Sequence, residues 1–291
     1  GDSGNNVLTG GAGSDIISGG AGNDVISGGV GGDTVDYSSS VAGVTANLAT
    51  GIASGDGTDS FTGVENVTGG SGNDNLTGDA NSNVLTGGAG NDVIDPGTGT
   101  DTIVGGVGTD TVSTASNGAD TTVDLTAGTV SASNMVDSVA GVENVTTGSG
   151  NDTVTGDANN NVITTGAGTD TLSGGAGMDT LSGGAGSDTV TYADSSSDVT
   201  VDLSTGTASG AGTDTLSGFE NVTGGSGNDT ITGDSNANNI DGGAGNDVIA
   251  PGVGATPSPS VDVVNGGAGT NTVSYSSAVA GVSVDLGAGT A

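Results

Sequence analysis

The chain has 291 residues with no Lys, Arg, His, Cys or Trp, and its 34 Asp and Glu give a formal charge of −34. Without a cationic side chain it offers nothing to grip phosphate, which excludes nucleic acid as a direct partner and electrostatic docking on anionic membranes. Imidazole, thiol and amine chemistry are excluded with those residue types, and no apolar run reaches membrane-spanning length.

Gly accounts for 62 residues and aromatics for 2%, a composition of disordered chains. Hydrophobic residues nevertheless reach 31% and recur at fixed intervals, which predicts order once something neutralises the carboxylates. Metal ions are the obvious neutraliser. Cysteine usage says nothing about redox compartment. Gly1 follows neither a start methionine nor a signal peptide, so a segment of a longer precursor is expected.

In chain order, the first elements are nine-residue units such as GGAGSDIIS (10–18), GGAGNDVIS (19–27) and GGVGGDTVD (28–36). Four units fill 1–36, five run over 69–113 and five over 147–191. Five more span 224–274 if a six-residue insertion around Ala255 to Ser260 is allowed. In all 19 the eighth residue is aliphatic, and the sixth is Asp in 14 and Asn in five. A longer period of 77 or 78 residues is superimposed: GDSGNNVLT at 1 returns as GDANSNVLT at 78, GDANNNVIT at 156 and GDSNANNID at 233. This divides the chain into modules 1–77, 78–155, 156–232 and an incomplete 233–291, expected to form one continuous solenoid.

Between the blocks lie linkers of about 32 residues, such as 37–68. Each holds one alternating strand (GVTANL 43–48, TTVDL 121–125, DVTVDL 198–203, GVSVDL 281–286), and the complete ones end in GVENV or GFENV. Degenerate nonapeptides, SGDGTDSFT (54–62) and SGAGTDTLS (209–217), sit in two of them, and Glu65, Glu143 and Glu220 share one linker position.

A unit with one aliphatic position cannot enclose its own core, so the expected fold is all-β: a parallel β-roll or β-solenoid of stacked short strands. Glycine supplies positive-φ turns, and Asn81, Asn159 and Asn236 at the fourth position are expected to take left-handed geometry in its place.

The repeat GGxGxDxUx resembles that of the RTX proteins, secreted by bacterial type I systems, and the linkers resemble those of long RTX surface and adhesin-type proteins. The resemblance implies calcium between turns two units apart, held by sixth-position carboxylates and backbone carbonyls. Carried over, the metal ligands are Asp15, Asp24, Asp33, Asp74, Asp92, Asp101, Asp110, Asp152, Asp170, Asp179, Asp188, Asp229, Asp247 and Asp262, with Asp59 and Asp214 from the degenerate units. Independently, calcium takes six to eight oxygen ligands, and this chain offers oxygen donors alone. Asp also decorates solvated turns, but turn formation needs no strict sixth-position carboxylate.

Where the sixth residue is Asn (Asn6, Asn83, Asn161, Asn238) the second is Asp (Asp2, Asp79, Asp157, Asp234). Weak binding, different binding and an amide ladder all remain open for those turns. Asn271 has no such Asp, and the insertion before Asp262 unsettles its turn. Tyr37, Tyr192 and Tyr275 follow the last unit of a block, where the second module has Thr114; packing at the junction is expected of them. The glutamates are left between calcium ligation and backbone-amide bonding.

The reading is an extracellular calcium-binding structural segment, not an enzyme: a filament, S-layer or adhesin stalk that folds on calcium and continues in a longer array or self-associates. The alternatives are the export or scaffold region of a secreted RTX enzyme, or an ice-binding RTX adhesin. The last wants a constant Thr at the third turn position, where this chain mostly has Ala, Ser or Val.

Overall fold

The computed structural model describes residues 1–252 and 261–278, so the insertion at 255–260 and the expected strand at 281–286 lie outside the described residues. Every regular element among the described residues is a strand, most of them three residues long. Two compact units are present: Gly1–Asp157 with Asn161–Ala167, and Ala158–Asn160 with the chain from Gly168 onward.

In the first unit successive nonapeptides contribute strands alternately to two ladders. Within a block each strand therefore pairs in parallel with the one 18 residues away, as in Val7↔Val25, Val84↔Thr102 and Asn75↔Val93. Two nonapeptides thus make one coil. In a strand alternate residues share a face, so the sixth and eighth positions point inward while the seventh points out. Asp92 is 1% exposed, Val93 40% and Ile94 0%. The eighth-position aliphatics Ile26, Val35, Leu76, Leu85, Ile94, Ile103 and Val112 form one buried stack.

The linkers depart from pure parallel pairing. In the first unit Thr45–Asn47, Ile52–Ser54 and Thr58–Thr62 form an antiparallel meander, spliced between the parallel neighbours Val25–Val30 and Asn75–Thr77. The other ladder passes straight on, from Thr34–Asp36 to Asn66–Thr68. The second linker inserts Thr121–Asp124, Thr129–Ala132 and Met135–Ala140 in the same way, but into the opposite ladder. Six strands separate the two inserts, and an even number of alternating steps moves the next insert to the other ladder. The expected linker strands at 43–48 and 121–125 are therefore the first strands of meanders.

The second unit repeats the plan. Thr200–Asp202, Thr207–Ser209 and Thr213–Ser217 form its meander between Thr180–Ser182 and Thr230–Thr232. Thr189–Thr191 pairs directly with Asn221–Thr223. Register holds on either side of the insertion, with Asn239↔Val263 and Ile240↔Val264.

One expectation is corrected. No described non-glycine residue has a positive φ, so Asn81, Asn159 and Asn236 are not left-handed. Their turns follow a different backbone path that does not demand glycine.

Candidate metal centre

The inward-facing sixth position puts a carboxylate in the interior at the mouth of each strand. The same bond recurs from turn to turn, with one carboxylate oxygen accepting the backbone N–H of the sixth residue in the preceding turn of that edge. Asp74 N–H donates to Asp92 Oδ1 (2.7 Å), and Asp92 N–H to Asp110 Oδ1 (2.8 Å). On other turns Asp15 N–H donates to Asp33 Oδ1 (2.8 Å), Asp170 N–H to Asp188 Oδ1 (2.9 Å) and Asp229 N–H to Asp247 Oδ1 (2.9 Å). Asp152 accepts from Thr121 N–H (2.8 Å) and Asp101 from Asn83 N–H (2.8 Å). Asp262 accepts from Asn238 N–H at 3.0 Å, so it keeps its ladder place beyond the insertion. Asn271 Oδ1 accepts from Asp247 N–H (2.9 Å).

The second oxygen distinguishes the sites. Oδ2 of Asp15, Asp24, Asp33, Asp92, Asp101, Asp110, Asp188 and Asp247 is buried with no hydrogen-bond partner. A buried charged oxygen without a partner costs several kcal/mol unless a counter-charge reaches it, and the chain has no cationic side chain to supply one. Burial, reinforced by the charges of Asp74 and Asp110, pushes the Asp92 carboxyl up to about 6. Burial likewise raises Asp101, Asp110 and Asp188.

Carbonyls gather around the same oxygens. A Cβ placed on Gly10 would lie 2.6 Å from both Asp15 Oδ2 and the Gly28 carbonyl; on Gly242 it would lie 2.6 Å from Asp247 Oδ2 and 2.9 Å from the Gly266 carbonyl. The first glycine of the repeat thus leaves a cradle of oxygen atoms that a side chain would fill. Among the described residues no three carboxylates converge, so a cation here would be held by one or two carboxylates completed by carbonyls. That donor set suits a hard ion such as calcium.

Not every expected ligand has an open oxygen. Asp59 and Asp214 join the ladder, accepting from Asp24 N–H (2.9 Å) and Asp179 N–H (3.2 Å). Their second oxygens, however, accept the hydroxyls of Tyr37 and Tyr192, each at 2.9 Å. Burial and the adjacent carboxylate raise both tyrosines well above their ordinary range. Asp74 Oδ2 accepts Gly70 N–H (2.6 Å) and Asp229 Oδ2 accepts Gly225 N–H (2.7 Å).

Two kinds of residue escaped the sequence, and a third, the glutamates, was left there between two roles. The glutamates resolve to amide acceptors: Oε2 of Glu65, Glu143 and Glu220 takes the N–H of Asp33, Asp110 and Asp188 at 2.8, 2.9 and 3.0 Å. Asp137 is the second module's counterpart of Asp59, accepting Asp101 N–H at 2.9 Å. Its Oδ2 and the Thr114 hydroxyl are both buried without partners, because threonine cannot reach where tyrosine does. The only signal was spacing, since Asp59, Asp137 and Asp214 each stand six residues before the glutamate. Fifth-position Asn side chains form a second, exposed ladder, with Asn91 N–H to Asn73 Oδ1 and Asn246 N–H to Asn228 Oδ1, both at 2.9 Å.

Comparison with curated proteins finds no match. The family described as RTX calcium-binding nonapeptide repeat (4 copies) matches residues 1–35, 59–94, 68–103, 77–112, 86–121, 138–172, 164–194 and 214–249. These spans cover more than half of the chain. They include Asp15, Asp24, Asp33, Asp92, Asp101, Asp110, Asp188 and Asp247, whereas Asp137 stands one residue before the span that begins at 138. The chain is a calcium-binding repeat region and belongs to the RTX calcium-binding nonapeptide repeat family.

Proposed function

We propose that this chain is an extracellular structural segment whose solenoid coils are completed by calcium, as part of a filament, surface layer or adhesin stalk. The observation that carries this reading is the set of buried Oδ2 atoms lacking any partner, those of Asp15, Asp24, Asp33, Asp92, Asp101, Asp110, Asp188 and Asp247. Calcium would be held by those carboxylates and neighbouring carbonyls, and it would supply the positive charge that the sequence lacks. Since the unfolded chain has no preformed site, binding energy becomes folding energy. Extracellular calcium modules work at roughly 10⁻⁴–10⁻³ M, so cytosolic calcium leaves the chain unfolded and fit for export.

No catalytic role is assigned to this segment. Its carboxylates recur from module to module, which suits scaffolding rather than one active site. Continuation in a longer array or self-association follows from the modular period. A calcium titration followed by far-ultraviolet circular dichroism tests the proposal. A folding midpoint between about 0.1 and 1 mM supports the extracellular reading, and a midpoint near 1 µM or below would place folding inside the cell and defeat it.

A further inference from the structure

Three features set the turns of Asp74, Asp229, Asn83 and Asn238 apart from those of Asp92, Asp110 and Asp247. In the first class, that of Asp92, Asp110 and Asp247, the second and fourth glycines take positive φ. Gly88 and Gly90 lie at +116° and +118°, Gly106 and Gly108 at +124° and +154°, and Gly243 and Gly245 at +88° and +129°. The sixth-position Oδ2 is buried and unpartnered. In the second class the sixth side chain bonds back to the N–H four residues earlier, closing its own turn. Asp74 does so to Gly70 and Asp229 to Gly225, while Asn83 Oδ1 accepts Asp79 N–H and Asn238 Oδ1 accepts Asp234 N–H, both at 2.8 Å. None of Gly70, Gly72, Gly225 and Gly227 has a positive φ.

The third feature is the neighbour. Second-class turns lie against a linker on their preceding side, where the first-class turns lie against another nonapeptide turn. Ser71 N–H donates to Ser40 O and Ser226 N–H to Ser195 O, each at 2.9 Å. Asn83 Nδ2 donates to Glu65 O (2.8 Å), Asn161 Nδ2 to Glu143 O (2.6 Å) and Asn238 Nδ2 to Glu220 O (3.1 Å). In the Asn turns the second-position carboxylate is also consumed internally: Asp79 accepts Asn81 N–H and Asn81 Nδ2, both at 2.8 Å.

We infer that calcium occupies only the open turns. The coils at 69–86 and 224–241, which follow the linkers, are assembled by side-chain hydrogen bonds and take no cation, although Asp74 and Asp229 match the calcium-binding motif in full. A cation between turns needs oxygen donors from both; where the preceding neighbour is a linker, its carbonyls already accept turn N–H groups, and the sixth side chain has no free oxygen to offer. This division rests on the proposed calcium binding.

The test is the number of calcium ions bound per full chain, measured by equilibrium dialysis at saturating calcium, with circular dichroism confirming folding. Asp92→Asn should lower the count by at least one, and Asp74→Asn should leave it unchanged. The triple change Asp79→Gly, Asn81→Gly, Asn83→Asp restores the open-turn sequence but not the neighbouring turn, and should add no ion. Equal losses for Asp92→Asn and Asp74→Asn would overturn the inference, as would a gain in the triple variant. If Asp74→Asn fails to fold, the triple variant and Asp229→Asn decide in its place. A wild-type chain that binds no calcium would instead defeat the proposed function, a separate result.

Discussion

Removing one hydroxyl from Tyr192 isolates a single bond of the carboxylate ladder. Tyr192 is 5% exposed and donates to Asp214 Oδ2 at 2.9 Å; Asp214, 2% exposed, uses Oδ1 to accept Asp179 N–H. Tyr192→Phe keeps the ring, so the packing contribution is nearly unchanged. What goes is a hydrogen bond to a charged acceptor, leaving a buried oxygen unpartnered, at a cost of about 1.5–3 kcal/mol. Urea denaturation at fixed, saturating calcium measures it. A loss below about 0.5 kcal/mol would refute the claim that the tyrosine hydroxyl satisfies this buried carboxylate. The second module supplies a natural comparison, because Thr114 already leaves Asp137 Oδ2 without a donor.

Leu181→Ala, at a side chain with no exposure, should cost about 2–5 kcal/mol in the same assay. Asn228→Ala removes the exposed acceptor of Asn246 N–H and should cost only about 0.5–1.5 kcal/mol; a larger loss would mean that the fifth-position ladder holds more than the turn. Acid should act in opposite directions with and without calcium. In chelator, Asp92 and Asp137 titrate in the fold at about 6, above the ordinary 3.8, because burial disfavours their charge. The protonated form therefore favours folding, an advantage complete below about pH 4 and lost as pH rises through 6. Circular dichroism in chelator should show more β-structure at pH 4 than at pH 8. With calcium present, the same protons compete with the ion, and the midpoint should rise as pH falls below 6.

Much of this was legible in the sequence, because the nine-residue period and the eighth-position aliphatic together dictate which residues stack. The sixth-position carboxylates were legible for the same reason: the two-residue period of a strand puts them on the face of the aliphatic. The antiparallel meanders were not, since a middle strand as short as Ile52–Ser54 carries one inward residue, Ala53, and no pattern. Nor was the difference between Asp74 and Asp92. Their units read GGSGNDNLT and GGAGNDVID, nearly the same string, and what separates them is the linker against which the first one packs. The tyrosine hydroxyls were hidden because each meets a carboxylate 22 residues away, across a meander that no local pattern announces.

The central claim is that calcium fills the open oxygen positions along the ladder. Anomalous diffraction from crystals grown in calcium tests it most directly. Peaks are expected beside Oδ2 of Asp92, Asp110, Asp188 and Asp247, with none beside Asp74 or Asp229. Ordered coils without a peak at any of those four carboxylates would contradict it.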